Sequence, residues 1–102
     1  MIADQIISRL QALHQAGLIH RDLKPPNITM GPIDDAETLY LIDFGLCKRY
    51  LKKKKKKKVI KMCGTLRYCS IRTHLGEELS RRDDLESFGY TLIYLAKGKL
   101  PW

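Results

Sequence analysis

The sequence predicts an α+β fold in which two amphipathic helices enclose a region of short apolar strands and polar loops. Apolar residues recur at helical spacing near the N-terminus and again after residue 84. Between these segments, short apolar stretches are bounded by Gly, Pro and Asp, which is typical of brief strands joined by turns. The chain of 102 residues is 44% hydrophobic and 29% charged, which predicts one small globular core.

The first predicted helix covers residues 3 to 16. Its inward positions share helical spacing and are Ala3, Ile6, Ile7, Leu10, Leu13 and His14. Gly17 follows where a left-handed C-terminal cap belongs. Asp4 and Arg9 interrupt the apolar pattern, so this stretch is not a secretory signal, and no apolar run is long enough to span a membrane. We therefore expect a cytoplasmic or nuclear protein.

Short strands are expected on both sides of the polar loop HRDLKPPN, residues 20–27. Leu18 and Ile19 precede this loop, and residues 28–30 follow it as a second apolar stretch. Gly31 and Pro32 then introduce a turn before the strand-like residues 39–42.

A second helix is predicted from about residue 81 to residue 97. Ser80 and Asp83 have the spacing of a capping box, and the helix should end near Gly98. Its apolar stripe consists of Leu85, Phe88, Leu92 and Leu95.

The positive charge of the chain is concentrated in one tract, Lys52–Lys58. Removing these seven lysines lowers the formal net charge from +8 to +1. Seven like charges repel each other and have no apolar surface to bury, which favours a solvated, disordered insertion. Non-specific binding of a polyanion, whether nucleic acid or an anionic membrane surface, or binding of an import receptor is the alternative.

The three cysteines, Cys47, Cys63 and Cys69, do not indicate a disulfide framework, because their number is odd and no pair has CxxC spacing. A metal site built from Cys63, Cys69 and His74 is disfavoured, since the spacings match no familiar zinc pattern and a fourth ligand is lacking.

Two motifs carry the groups that phosphoryl transfer to a hydroxyl requires. Within HRDLKPPN, Asp22 can accept the proton of the hydroxyl and Lys24 can reach the transferring phosphate. Asn27, together with Asp43 of the later Asp-Phe-Gly sequence, offers the hard oxygen ligands that suit Mg²⁺. Each motif alone is compatible with an ordinary loop or turn, but their joint occurrence in this order favours a catalytic function.

The two motifs resemble the catalytic loop and the metal-binding loop of protein kinases, and Lys24 resembles Ser/Thr rather than Tyr kinases. The stretches LIDFGLCKRY, CGTLRYCSIRTHLG and ELSRRDDLESFGYTLIYL resemble the casein kinase I family of Ser/Thr protein kinases. This resemblance implies a protein-kinase-like fold, of which the chain would be the central part of the mainly helical large lobe. It also implies transfer of the γ-phosphate of ATP, with Mg²⁺, to Ser or Thr of proteins that are acidic or previously phosphorylated.

The implied organisation is a partial kinase domain over residues 1–102. Its parts are the catalytic loop 20–27, the DFG motif 43–45, a Lys-rich activation-loop segment 46–64 and the second helix. The sequence contains no GxGxxG loop, no strand lysine to pair with phosphates and no helical glutamate to hold that lysine. We therefore expect the small ATP-binding lobe to be absent, interpret the chain as a fragment of a longer kinase, and expect no measurable transfer by the isolated chain.

The resemblance also assigns roles to single residues. The catalytic residues would be Asp22, Lys24 and Thr65. The nucleotide would be bound by Lys24, Asn27, Ile42 and Asp43, and the metal by Asn27 and Asp43. Arg21 and Asp84 would support the catalytic loop, and Arg67 would attract an anionic group of the substrate.

Two departures from the casein kinase I pattern and two alternative functions accompany this interpretation. Thr29 stands where the family has Leu beneath the adenine ring, and Arg72 replaces an Asn. One alternative is a catalytically dead remnant that acts as a binding or decoy module. The other is a small-molecule kinase, which also uses an HxD motif and a later Asp, but Lys24 and the DFG sequence argue against it.

Overall fold

A computed structural model describes residues 2–51 and 61–102 of the chain. The helices and strands of these residues are α1 (Ile2–Gln15), β1 (Leu18–Ile19), β2 (Ile28–Met30), β3 (Leu39–Leu41), β4 (Lys48–Arg49), α2 (Ile71–His74) and α3 (Arg81–Lys97). The tract Lys52–Lys58 and the prediction made for it lie outside the described residues. No helix of the described part is long and apolar enough to cross a membrane.

Helix α1 lies where the apolar periodicity predicted a helix. Gly17 ends it in the left-handed region, with φ of 82°, and donates its N–H to the carbonyl of His14 at 3.0 Å. Ile6 and Leu10 are fully buried. Ile7 was predicted to face inward, but 49% of its side chain is exposed because it lies about 100° around the helix from Ile6.

The strands form two small antiparallel ladders. Strand β1 pairs with β4, and β2 pairs with β3. The two strands that flank residues 20–27 therefore do not pair with each other, and each pairs with a later segment. Strand β4 was not predicted, because Lys48 and Arg49 are charged and exposed and form only two ladder pairs with β1.

Helix α3 has the predicted cap at each end. Ser80 and Asp83 form a complete capping box, and Gly98 has φ of 74°. The apolar stripe is only partly covered: Phe88 is buried, whereas Leu85 and Leu95 are 49% and 48% exposed. A helix of this length extends about 26 Å, and all of its buried residues lie between Asp83 and Thr91, so its C-terminal part is the less covered one.

The core joins both long helices to the polar loop. Its buried members are Ile6, Leu10, Leu23, Leu39 and Phe88, and Ala3, Ile28, Leu41 and Leu92 pack around them. Leu23 belongs to the HRDLKPPN sequence and is 2% exposed, and burying a leucine side chain contributes about 1.5–3 kcal/mol. The core therefore anchors the loop between the two residues, Asp22 and Lys24, that were predicted to act in chemistry.

Candidate active site

Asp84 at the start of α3 holds the backbone of the polar loop from beneath. Its carboxylate is 2% exposed and accepts the N–H of His20 at 2.8 Å and the N–H of Arg21 at 2.9 Å. Arg21 has φ of 70°, a left-handed conformation that costs a non-glycine residue about 1–2 kcal/mol. The two hydrogen bonds to a buried carboxylate offset this strain, so the contact implied by the resemblance is present.

His14 of α1 contributes a third contact to the same carboxylate. Its Nε2 lies 2.8 Å from Oδ2 of Asp84, and its side chain is 11% exposed. Its backbone carbonyl also accepts the hydroxyl of Tyr50 at 2.8 Å. Asp84 thus ties α1, the polar loop and α3 together at one point.

Thr65 links the two charged side chains of the loop. Its Oγ1 accepts a hydrogen bond from Nζ of Lys24 at 2.8 Å and donates one to Oδ1 of Asp22 at 3.0 Å. Lys24 Nζ is also 3.7 Å from the other carboxylate oxygen of Asp22. The three predicted catalytic residues therefore form one hydrogen-bonded cluster.

Gly64 allows Thr65 to come this close. Its φ is 88°, and a Cβ atom placed on it would lie 2.6 Å from the carbonyl oxygen of Arg21. A side chain at position 64 would push the segment away from the loop.

Asn27 completes the loop from the side of β2. It is 5% exposed, and its Nδ2 donates to the carbonyl of Asp22 at 2.8 Å and to Oδ2 of Asp22 at 3.3 Å. Since the amide nitrogen is engaged in this way, the carboxamide oxygen is the group of Asn27 that could hold a cation.

His20 connects the polar loop to the Asp-Phe-Gly segment. Its Nδ1 accepts the N–H of Asp22 at 3.1 Å, so the proton of the neutral ring belongs on Nε2, which lies 3.0 Å from the carbonyl of Ile42. The ring also meets Phe44 edge-on at 5.3 Å. Next to Ile42, Asp43 has φ of 60° and an exposed carboxylate whose Oδ1 accepts the N–H of Gly45 at 3.3 Å.

The oxygen donors fit a cation that is shared with a phosphate. Asn27 and Asp43 offer one amide oxygen and one carboxylate, and Mg²⁺ is often held by one or two carboxylates together with phosphate oxygens and water. No group of three or more His, Cys, Asp or Glu side chains gathers in residues 2–51 and 61–102 to form a closed metal site.

Of the three residues considered for a metal site, Cys69 and His74 form a local contact. Cys69 Sγ lies 3.2 Å from Nε2 of His74, and Cys63 is a free thiol. Burial raises the pKa of the Cys69 thiol, which favours its protonated form over the thiolate that binds metals.

The two arginines to which the resemblance gave roles make contacts outside the cluster of Asp22, Lys24 and Thr65. Arg21 donates from Nε to the carbonyl of Leu46 at 2.6 Å and so supports the chain after the Asp-Phe-Gly segment. Arg67 is exposed, and its backbone carbonyl accepts the indole N–H of Trp102 at 2.8 Å.

The two departures from the family pattern have local partners. The hydroxyl of Thr29, which is exposed, donates to the carbonyl of Met30 at 3.3 Å. Arg72 forms an exposed ion pair with Glu77 at 2.8 Å. Neither of these two contacts involves Asp22, Lys24 or Thr65.

Sequence reasoning assigned no role to His14 or His20. Residue His14 is separated from Asp84 by 70 positions, and no local pattern indicates such a contact. His20 stands within the HRDLKPPN motif and Ile42 directly precedes the Asp-Phe-Gly sequence, so the proximity of the two motifs is the signal that indicates their link.

One comparison with known proteins bears on the cluster of Asp22, Lys24 and Thr65. The family described as the protein kinase domain matches residues 1–102, which is the whole chain. The match includes the polar loop, the Asp-Phe-Gly segment and the chain that carries Thr65.

Proposed function

The chain belongs to the protein kinase domain family, and we propose that it is the catalytic part of a casein kinase I-like Ser/Thr protein kinase, acting within a longer kinase in the cytoplasm or nucleus. The observation that carries this proposal is the cluster in which Thr65 joins Lys24 to Asp22. A carboxylate, an ammonium group and an amide within one loop are the groups that phosphoryl transfer needs.

In the proposed reaction, Asp22 orients the acceptor hydroxyl and takes its proton as the hydroxyl oxygen bonds to the γ-phosphorus of ATP, while the bond from this phosphorus to the bridging oxygen breaks and ADP leaves. Lys24 lies beside the carboxylate and offsets charge on the transferring phosphate. Thr65 fixes the two side chains relative to each other, because its hydroxyl donates to Asp22 and accepts from Lys24. Asn27 and Asp43 would hold Mg²⁺, which would neutralise charge on the γ-phosphate that ATP supplies.

Ser/Thr specificity and the casein kinase I subfamily are supported by sequence. Lys24 stands two residues after Asp22, and the bond from Lys24 to Thr65 gives this lysine a defined position. The Ser-Ile sequence at residues 70–71 lies where most kinases have Ala-Pro-Glu.

The proposed protein substrates are acidic or previously phosphorylated. Arg67 is exposed two residues after Thr65, and a guanidinium group there suits a carboxylate or phosphate on a substrate. The tract Lys52–Lys58 provides a further, non-specific attraction for polyanions through its sequence alone.

The test joins these 102 residues to the small lobe of a casein kinase I and measures γ-phosphate transfer to an acidic Ser peptide. We expect Asp22→Asn and Asp43→Asn each to lower the rate by about 10²-fold or more. Asp43→Asn should also weaken metal-dependent nucleotide binding, which kinetics at varied Mg²⁺ would detect.

The isolated chain is the second arm of this test, with Asp22→Asn as the control for contaminating kinases. We expect no measurable transfer, because misplacement of reacting groups by 1 Å costs about 10²-fold. Near-normal turnover in either fused variant would contradict the assigned roles. Robust transfer by the isolated chain that disappears in Asp22→Asn would contradict the need for a small lobe.

A further inference from the structure

A set of contacts outside the catalytic cluster holds the chain that follows Thr65. The indole N–H of Trp102 donates to the carbonyl of Arg67 at 2.8 Å, and the indole ring meets Tyr90 edge-on at 4.9 Å. The hydroxyl of Tyr90 donates to Oε1 of Glu86 at 2.5 Å. The same oxygen of Glu86 accepts the N–H of Ile71 at 3.0 Å. We call Glu86, Tyr90 and Trp102 the brace.

The brace acts at both ends of the segment 66–71. Trp102 holds this segment near its start through Arg67, and Glu86 holds it at its end through Ile71. Tyr90 connects the two anchors, since it contacts both of the other members. The brace therefore spans the segment without contacting Asp22 or Lys24 by any of these bonds.

The segment is tied in turn to the backbone of Thr65. The carbonyl of Thr65 accepts the N–H of Tyr68 at 3.0 Å and the N–H of Cys69 at 3.1 Å. A shift of the segment therefore moves Thr65, whose hydroxyl donates to Asp22. Leu66 and Arg67 directly follow Thr65 and are exposed, so their side chains are accessible to a peptide whose hydroxyl reaches Asp22.

The chemistry of the brace favours a lasting contact. The hydrogen bond to Glu86 is the main cause that raises the pKa of Tyr90 to about 12, so the phenol remains a donor above its ordinary pKa of 10.0. Oε1 of Glu86 accepts both donors, which a carboxyl oxygen with two lone pairs can do.

We propose that Glu86, Tyr90 and Trp102 are positioning residues that fix the segment 66–71, and through it Thr65 and the acceptor peptide, relative to Asp22. This proposal goes beyond the proposed function, and only its statement about the acceptor peptide rests on that function. None of the three residues needs to touch the nucleotide or the reacting atoms.

The test compares the full chain with Glu86→Ala, Glu86→Gln and Tyr90→Phe. Hydrogen exchange at the amide of Ile71 reports the Glu86 anchor, and emission of Trp102, the single tryptophan, reports the other anchor. Tyr94→Phe is the matched control, because Tyr94 lies one turn later on α3 and its ring, which packs against Tyr68, is retained.

In Glu86→Ala we expect exchange at Ile71 to accelerate by about tenfold or more and the emission of Trp102 to shift. Glu86→Gln should restore protection, because its carbonyl oxygen can still accept both donors. Tyr90→Phe removes the hydroxyl that holds Glu86 but keeps the ring that meets Trp102, so it should accelerate exchange at Ile71 while helix content by circular dichroism is unchanged. Tyr94→Phe should change neither exchange at Ile71 nor the emission of Trp102.

A second measurement addresses the acceptor peptide. Titration of an acidic Ser peptide without nucleotide should give a Kd that is about fivefold weaker in Glu86→Ala than in the parent chain and in Glu86→Gln. Failure of the parent chain to bind this peptide would count against the proposed function, while the exchange data would still decide the role of the brace.

Unchanged exchange and emission in both Glu86→Ala and Tyr90→Phe would overturn the proposal, as would an unprotected Ile71 amide in the parent chain. If Glu86→Ala does not fold, Tyr90→Phe decides by itself. A fold-wide loss of protection in Glu86→Gln would also overturn it, because the brace would then be a general stabilising element rather than a local one.

Discussion

Replacing Asp84 by Ala is the perturbation for which the structure allows the most definite estimate. The carboxylate is buried and accepts hydrogen bonds from the backbone of His20 and Arg21 and from the ring of His14. The alanine variant leaves all three donors without this acceptor. A buried donor left unsatisfied costs about 1–3 kcal/mol.

The two backbone amides dominate the expected loss. They cannot rotate toward water while Arg21 keeps its left-handed conformation, whereas the partly exposed ring of His14 can find a water partner. We therefore expect Asp84→Ala to lower the free energy of unfolding by about 3–5 kcal/mol. A chain of this size has a total stability of about 5–15 kcal/mol, so the variant should be severely destabilised.

Asp84→Asn should be milder. It keeps the volume and one acceptor oxygen, but its amide nitrogen would face a backbone N–H, and we expect a loss of about 1–3 kcal/mol.

The assay is urea unfolding followed by far-UV circular dichroism and by fluorescence, with linear extrapolation to water. Asp34→Ala is the control, because Asp34 is exposed in a 3₁₀ turn and its loss should change stability by less than about 0.5 kcal/mol. If the free energy of unfolding of Asp84→Ala lies within about 1 kcal/mol of that of the parent chain and the urea dependence is the same, the prediction is contradicted. The three contacts would then not stabilise the loop.

Three further predictions concern separate features. Gly64→Ala should lower the free energy of unfolding by about 1–3 kcal/mol in urea titrations, because φ is 88° and the new Cβ meets the carbonyl of Arg21; an unchanged midpoint would contradict this. The pKa of Tyr90 is raised from 10.0 to about 12, so its bond to Glu86 should stabilise the fold below pH 10 and lose this effect as the pH rises through 12. The difference in unfolding free energy between the parent and Tyr90→Phe across this pH range measures this stabilising effect, and a difference that stays constant with pH would contradict the prediction. Replacing Lys52–Lys58 by Ser should abolish salt-sensitive retention on heparin with little change in helix content, whereas salt-independent retention would indicate a structured site instead.

Local features could be predicted from the sequence because their causes lie within a few residues. Helix α3 follows from the capping box at Ser80 and the C-terminal Gly98, whose hydrogen bonds involve near neighbours. Helix α1 follows from apolar spacing in the same way. The strand β4 escaped prediction because its two charged residues carry no strand signal without their partners in β1.

The sequence also identified the chemical groups of the site, because the HRDLKPPN and Asp-Phe-Gly motifs occur together in an order that favours a catalytic function. The catalytic role of Thr65 was expected only through the family resemblance, and its contact with Asp22 joins residues that are 43 positions apart. Their catalytic roles stay predictions until the variants are measured.

The sequence by itself determined the two long helices and the set of polar side chains at residues 20–27 and 43–45, whereas the short helix α2 was not predicted. The tertiary structure alone decided that His14 meets Asp84 across 70 positions, that Trp102 reaches Arg67, and that the buried residues of α3 end at Thr91. The physical reason is the distance along the sequence over which each kind of interaction acts. Spacing and capping act over one or two helical turns, whereas contacts between distant segments depend on how the whole core packs and leave no periodic trace in the chain.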